Sequence, residues 1–293
     1  MTAVSASTWV AGARPRTLAL SVSPVLVGTA AAVGQAPIVW WRLAAALVVA
    51  FALQVGVNYA NDYSDGVRGT DTPERIGPVR LTASGLVPPA RVKLAAGIAF
   101  AVAAVAGLAL AVAVDLRLVL VGAAAIAAAV LYTGGPRPYG YSGFGELAVL
   151  VFFGLVATCG SAYVQAGRVP AAAWAGAVTV GLLAVAVLLA NNVRDIGTDT
   201  EAGKRTLAVR LGRRASRAVF VLTVAGAFVP VLVLGLSRPA ALLALLAAPL
   251  AVAPVAAMLR RTDGPGLIAA LVGTVRLQLV TCLLLAAGLW ASG

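Results

Sequence analysis

"NYANDYSDGVRGTD", residues 58–71, and "NNVRDIGTDTEAGKR", residues 191–205, each close an apolar run long enough to cross a bilayer, and their reading decides the fold. The chain has 293 residues, is 61% hydrophobic and contains ten acidic residues. Seven of the ten lie in these two stretches or at their margin: Asp62, Asp65, Asp71 and Glu74 in the first, Asp195, Asp199 and Glu201 in the second. Only Asp115, Glu146 and Asp263 lie elsewhere. A solvated surface spreads its carboxylates, whereas this chain gathers them at two points.

Charged residues make up 11% of the chain, where soluble proteins carry about 25%, and the mean hydropathy is +0.98. Apolar runs near the length of a hydrocarbon layer recur at 18–35, 43–61, 94–114, 118–134, 146–165, 171–191, 217–236, 240–258 and 267–290. Ser21, Ser23 and Pro24 dilute the first. Runs of this length satisfy their own backbone hydrogen bonds as helices. The expected fold is therefore an all-α integral membrane bundle of nine transmembrane helices, forming a single domain over 1–293. The N-terminus lacks the short apolar core and small-residue cleavage site of a removable signal, and Trp9 and Arg14 suit an interfacial lead-in.

The net charge of +12 does not point to nucleic acid, because its distribution follows the membrane. Most basic residues fall in the N-terminal tail and in the loops after the second, fourth, sixth and eighth runs. The opposite side holds Arg42, Arg117, Arg168 and Arg238, and Arg276 lies inside the last run. The positive-inside rule then places the N-terminus and both acidic stretches on the cytoplasmic face of the plasma membrane. The motifs Asn58-x3-Asp62 and Asn191-x3-Asp195 end the second and sixth runs. An even number of intervening spans gives the two units the same orientation, the pattern of a parallel repeat of helices 1–4 and 5–8.

The sequence contains no histidine and no CxxC pair, and "AGKRT" has Arg205 where a P-loop needs Ser or Thr. These absences exclude a histidine base, the usual zinc sites and nucleotide binding by that route. Cys159 and Cys282 fall within spans and read as small apolar residues.

At 100° per residue, Asn58, Asp62 and Asp65 share about 60° of helix surface, and Asn191, Asp195 and Asp199 about 80°. Each patch aims an amide and two carboxylates in one direction. Brought face to face, they would repel unless a cation intervened. All-oxygen ligands favour Mg²⁺, which takes one or two carboxylates and completes its shell with water and phosphate. With Arg68, Lys204 and Arg205 nearby, the arrangement suits a diphosphate, and a lipid diphosphate whose tail lies among the helices. An allylic tail would ionise as the diphosphate leaves, with metal taking up the developing charge and apolar walls keeping water out. Two other readings are solvated loop carboxylates paired with arginines and a cation path through a transporter, although no acidic residue lies in mid-span.

"NDYSD" (61–65) and "DIGTD" (195–199) resemble the two aspartate-rich motifs of the UbiA-type intramembrane prenyltransferases. "GARPRTL" (12–18), "GPVRLTASG" (77–85), "YTGGPRPYGYSGFGEL" (132–147) and "KRTLAVRLG" (204–212) are similar to the branch that prenylates 1,4-dihydroxy-2-naphthoate. The resemblance implies a nine-helix bundle in which Asp62, Asp65, Asp195 and Asp199 hold Mg²⁺. It implies that Asn58, Arg68, Asn191, Lys204 and Arg205 bind the diphosphate of a polyprenyl donor. Prenylation at the carboxylated ring carbon would release CO₂ and diphosphate and give demethylmenaquinol; the alternative acceptor is 4-hydroxybenzoate, which keeps its carboxylate. Where the broad family often has a further Asp, four residues after Asp65, this chain has Gly69, so Asp71 is left out of the metal set.

Arg16, Tyr132, Arg137 and Tyr139 are candidates to meet the acceptor because they lie on the same expected face, and they also read as interfacial anchors. Glu146 reads as a carboxylate at a helix N-terminus or as part of a cavity wall. Arg276 reads as paired with another helix or reaching the substrate. The glycines at 134, 135, 140, 143 and 145 read as a tight loop with close backbone approaches.

Overall fold

The structure is a computed structural model that describes residues 4–70 and 79–293, with the side chains of Arg16 and Ala19 outside the description. Among the described residues every regular element is helical. In chain order they are α1 (Ala6–Ala13), α2 (Pro15–Ala31), α3 (Trp40–Arg68), α4 (Pro89–Ala113), α5 (Leu118–Leu131), α6 (Gly145–Ala166), α7 (Ala171–Arg194), α8 (Ile196–Glu201), α9 (Leu207–Gly235), α10 (Pro239–Arg260) and α11 (Gly264–Ala291). A 3₁₀ turn, Tyr139–Ser142, lies between α5 and α6.

Among the described residues seven helices, α3, α4, α6, α7, α9, α10 and α11, are long and apolar enough to cross a membrane. The count of nine is thereby refined. The runs expected at 18–35 and 118–134 form the shorter apolar helices Leu20–Ala31 and Leu118–Leu131. Fourteen residues of α5 extend only about 21 Å at 1.5 Å per residue, less than a hydrocarbon core of about 30 Å.

The central helix is α7, with 72% of its apolar window buried against 22% for α10. Small residues let its neighbours approach closely. A Cβ on Gly154 of α6 would stand 2.8 Å from the Ala177 carbonyl oxygen of α7, and one on Gly28 of α2 would stand 2.1 Å from the Thr158 carbonyl oxygen of α6. Phe220, Met258, Leu267 and Leu277 bring α9, α10 and α11 onto the same core as Leu183 and Leu189 of α7.

Several helices are irregular, each for a local reason. Residues Leu150–Val156 within α6 form a π-helical stretch. Gly212 breaks α9 at φ 75°, ψ 166°, a conformation open to glycine. The first half of α10, Pro239–Ala251, is 3₁₀ and holds Pro249, which supplies no N–H to an α-helical ladder.

Cys159 and Cys282 are buried and free, as expected. Arg276 is exposed on α11, and the expectation that it pairs with a neighbouring helix or reaches the substrate gives way to that placement. Gln278, two residues on, is fully buried.

Candidate active site

The C-terminal end of α3 carries the first motif. The helix ends at Gly69, whose φ of 69° is the left-handed cap that closes it. That explains why glycine stands where an aspartate would be strained. Asp71 and Glu74 lie outside the described residues.

Asp65 is the hub. Its carboxylate accepts the Tyr141 hydroxyl and the Thr70 hydroxyl at 3.3 Å, and it lies 3.4 Å from an Arg80 nitrogen and 3.5 Å from Lys204 Nζ. Lys204 also stands 3.9 Å from the Asp199 carboxylate. One buried ammonium thus joins the two acidic motifs across 139 residues of chain. Its side chain is only 10% exposed and lies 4.8 Å from the Tyr141 ring centroid, a cation–π arrangement. Arg68 stands over the same ring at 5.6 Å and donates to the Gly135 carbonyl.

The second motif ends α7 and forms the short α8. Asp195 pairs with Arg194 through Nε at 2.7 Å and Nη2 at 2.6 Å, and Nη2 also donates to Asn191 Oδ1 at 2.8 Å. This fork holds Arg194 against the cavity wall, with its side chain 4% exposed. The turn after α8 closes through Lys204 N–H to Asp199 carbonyl at 2.8 Å and aims the ammonium inward. Arg205, the next residue, donates its backbone N–H to the Tyr141 carbonyl at 2.7 Å and is exposed.

Asp62 has a different placement from the one its sequence position suggested. It is completely buried, and its two carboxylate oxygens accept the backbone N–H groups of Leu81 and Thr82, each at 2.8 Å. It anchors the segment after residue 79 rather than joining Asp65, Asp199 and Lys204. On the other side of the line joining Asn58 to Asp65 along α3 stands Asn61, to which the sequence motif assigned no role. Asn61 lines the cavity and accepts the Thr133 hydroxyl at 2.8 Å.

Below the motifs lies a cavity of about 750 Å³. Arg14, Asn58, Asn61, Tyr132, Tyr139, Asn191 and Arg194 contribute polar groups to its wall. Ala46, Val49, Leu53, Leu110, Leu118, Phe152, Phe153 and Val156 supply apolar ones. Asn58 donates to the Ala13 carbonyl at 2.8 Å and so ties α1 to α3. Arg14 takes the left-handed conformation, φ 56°, at the α1–α2 junction.

The four acceptor candidates divide. Tyr132 and Tyr139 line the cavity and pack edge to face, centroids 5.4 Å apart. The Tyr139 hydroxyl donates to the Ala128 carbonyl at 2.8 Å. Arg137 is exposed and outside the cavity wall, and the side chain of Arg16 lies outside the described residues. Glu146 sits in the first turn of α6 and accepts Asn192 Nδ2 at 2.8 Å; it is buried but does not line the cavity.

Burial, and then the Asp65 charge, push the Tyr141 hydroxyl above the usual tyrosine range, and burial pushes Tyr139 up to about 12. Both hydroxyls are neutral donors near neutral pH.

The donor set fits a hard divalent cation. No cluster of three His, Cys, Asp or Glu side chains forms among the described residues, but Mg²⁺ uses one or two carboxylates with phosphate and water. Asp65 and Asp199, drawn to one cation in Lys204, could supply that number of oxygen ligands.

Residues 21–280 match the UbiA prenyltransferase family. The chain is 51% identical over 243 residues to a 1,4-dihydroxy-2-naphthoate octaprenyltransferase of Mycobacterium tuberculosis, covering 83% of each protein. It is 46% identical to the protein of that name from Mycobacterium leprae, covering 97% of each. Among solved structures, the fold matches an apo UbiA homolog of Aeropyrum pernix K1 with a TM-score of 0.69, at 15% identity, over 94% of this chain and 97% of the other. A UbiA homolog of Archaeoglobus fulgidus bound to GPP and Mg²⁺ matches with a TM-score of 0.64, at 12% identity, over 95% and 99%.

Proposed function

The chain belongs to the UbiA prenyltransferase family, and on that premise we propose that it transfers a polyprenyl group from polyprenyl diphosphate to 1,4-dihydroxy-2-naphthoate. The observation that carries the proposal is the junction of the two acidic motifs through Lys204 above a cavity with both polar and apolar walls. Two relatives that bear the naphthoate name are 51% and 46% identical over most of the chain, which supports the acceptor.

Asp65 and Asp199 are the residues that would hold Mg²⁺, with Asp195 fixing Arg194 beside them. The bound ion supplies neutralisation of the charge that gathers on the departing diphosphate. Lys204 and Arg194 bind the phosphate oxygens, and Arg80 shares the Asp65 carboxylate. Asn58, Asn191, Arg68 and Arg205 belong to the mouth of the same site. Asp62 contributes by holding the segment that carries Arg80.

In the reaction, the allylic carbon–oxygen bond breaks and its electron pair leaves with diphosphate. The electron-rich ring supplies the pair for the new carbon–carbon bond at the carboxylated carbon. The bond to the carboxylate then breaks, its pair restores aromaticity, and CO₂ departs. No ring proton has to be removed. The apolar walls around Phe152, Phe153 and Val156 keep water from the allylic cation.

The reaction takes place within a single domain embedded in the membrane, with the motifs on the cytoplasmic face of the plasma membrane according to the distribution of basic residues. The test is an incubation with a polyprenyl diphosphate and equal 1,4-dihydroxy-2-naphthoate and 4-hydroxybenzoate, with Mg²⁺ or EDTA, read by mass spectrometry. A decarboxylated prenyl naphthoquinol formed only with Mg²⁺ supports the proposal. A prenylated hydroxybenzoate moves the protein to another branch. No prenylated product removes the catalytic reading.

A further inference from the structure

Along α3, the polar side chains Gln54, Asn58, Asn61 and Asp65 recur at intervals of four, three and four residues, so they form one stripe along the helix. Three have partners within the protein. Asp65 is held by Tyr141, Asn61 by Thr133, and Asn58 by the Ala13 carbonyl. Gln54 differs. It is 8% exposed, lines the cavity, and its amide oxygen is buried with no hydrogen-bond partner among the described residues. Ala50, Leu53 and Val57, which adjoin it on α3 and also line the cavity, have no side-chain donor to offer.

A buried amide with an unused acceptor is costly unless a ligand completes it. A prenyl tail has no hydrogen-bond donor, but a phenolic ring does. Gln54 lies eleven residues from Asp65, about 16 Å along the helix axis. That distance leaves room for a diphosphate between the carboxylates and an aromatic ring held beside the amide.

We propose that Gln54 is a positioning residue whose amide accepts a hydroxyl of the aromatic acceptor, orienting the ring for attack on the allylic carbon. This rests on the naphthoate reading above. The hydroxyl it accepts is the one para to the first, at position 4. That group lies meta to the attacked carbon and contributes little to its nucleophilicity, whereas the 1-hydroxyl, ortho to it, supplies the electrons. The protein's preference for the 4-hydroxyl is then a matter of recognition, and a site built around a hydrogen bond rejects an analogue lacking the donor.

The experiment compares kcat/KM for 1,4-dihydroxy-2-naphthoate and 1-hydroxy-2-naphthoate in the wild type, Gln54→Met and Gln54→Glu. Met fills similar space without an acceptor, and Glu keeps an acceptor on the same stem. The ratio is taken within one preparation, so a partly misfolded sample does not change it. The wild type should favour the dihydroxy acid by roughly tenfold or more. Gln54→Met should bring the ratio close to one while leaving KM for the prenyl diphosphate unchanged, and Gln54→Glu should restore the preference. A Gln54→Met protein that keeps the full preference overturns the proposal, as does one in which only the KM for prenyl diphosphate rises. A wild type that turns over neither naphthoate overturns this proposal together with the function on which it rests.

Discussion

Replacing Asp62 with Asn separates anchoring from metal binding. In the structure the Asp62 carboxylate accepts two backbone N–H groups, from Leu81 and Thr82, each at 2.8 Å, in a fully buried setting. An asparagine presents one oxygen and one NH₂, so one of the two N–H groups then faces a donor. Losing a hydrogen bond to a charged acceptor and leaving a buried donor unpaired costs about 2–4 kcal/mol together. The helices hold their own backbone bonds, so the loss falls on local opening of the segment after residue 79. At 1.4 kcal/mol per factor of ten, the open population rises about 30- to 700-fold. Hydrogen exchange monitored by mass spectrometry over residues 79–88 reads this directly, with Asp65→Asn as the comparison. The expected result is lost protection in Asp62→Asn with a Mg²⁺ half-saturation close to that of the wild type, and the reverse in Asp65→Asn. Full protection in Asp62→Asn, together with a Mg²⁺ response weakened as in Asp65→Asn, would refute the assignment of Asp62 as an anchor.

Other perturbations follow from the same geometry. Lys204→Met removes the ammonium that stands between Asp65 and Asp199 and should lower kcat/KM by roughly 100-fold, as loss of an electrostatic donor does at such sites; steady-state kinetics with varied prenyl diphosphate check it. Tyr141→Phe takes away one hydrogen bond to Asp65 and leaves the ring under Lys204, so the loss should be roughly tenfold, the size of one charged hydrogen bond, in the same assay. Gly28→Val places a branched side chain where even a Cβ would stand 2.1 Å from the Thr158 carbonyl oxygen, so α2 must separate from α6; size-exclusion chromatography in detergent should show a marked loss of monodisperse protein, whereas Gly97→Ala, with open space around it, should behave as the wild type.

The helical bundle was legible because apolar runs bounded by charge leave the backbone no other way to satisfy itself in lipid. The meeting of the two motifs was also legible, since carboxylates concentrated at two helix ends need a shared cation. The choice between Asn61 and Asp62 was not. The two side chains lie about 100° apart, one on each side of the line joining Asn58 to Asp65. Helical spacing alone does not say which flank meets the cavity and which meets the segment carrying Leu81. Tyr141 lies inside "YTGGPRPYGYSGFGEL", where the glycines signal a loop but nothing in the spacing singles out one tyrosine. The left-handed glycines Gly135 and Gly143, φ 76° and 81°, do bear out the tight loop, but that loop also delivers the tyrosine to Asp65. Arg14 reaches the cavity through a left-handed turn that no propensity for arginine announces. Hydropathy does not mark the end of α5, because residues 132–134 extend the apolar run while the backbone turns away after Leu131 to begin the loop.

The central claim is that Asp65 and Asp199 act together on a metal-bound diphosphate. It is tested most directly by measuring diphosphate release against Mg²⁺ concentration for the wild type, Asp65→Asn, Asp199→Asn and the double variant, with prenyl diphosphate and 1,4-dihydroxy-2-naphthoate in excess. The account predicts release that depends on Mg²⁺ in the wild type, a loss of roughly 100-fold or more in each single variant, and a double variant little worse than either single one, because the two carboxylates serve one centre. Single variants that keep wild-type release, or losses that multiply as if the two residues were independent, would contradict it.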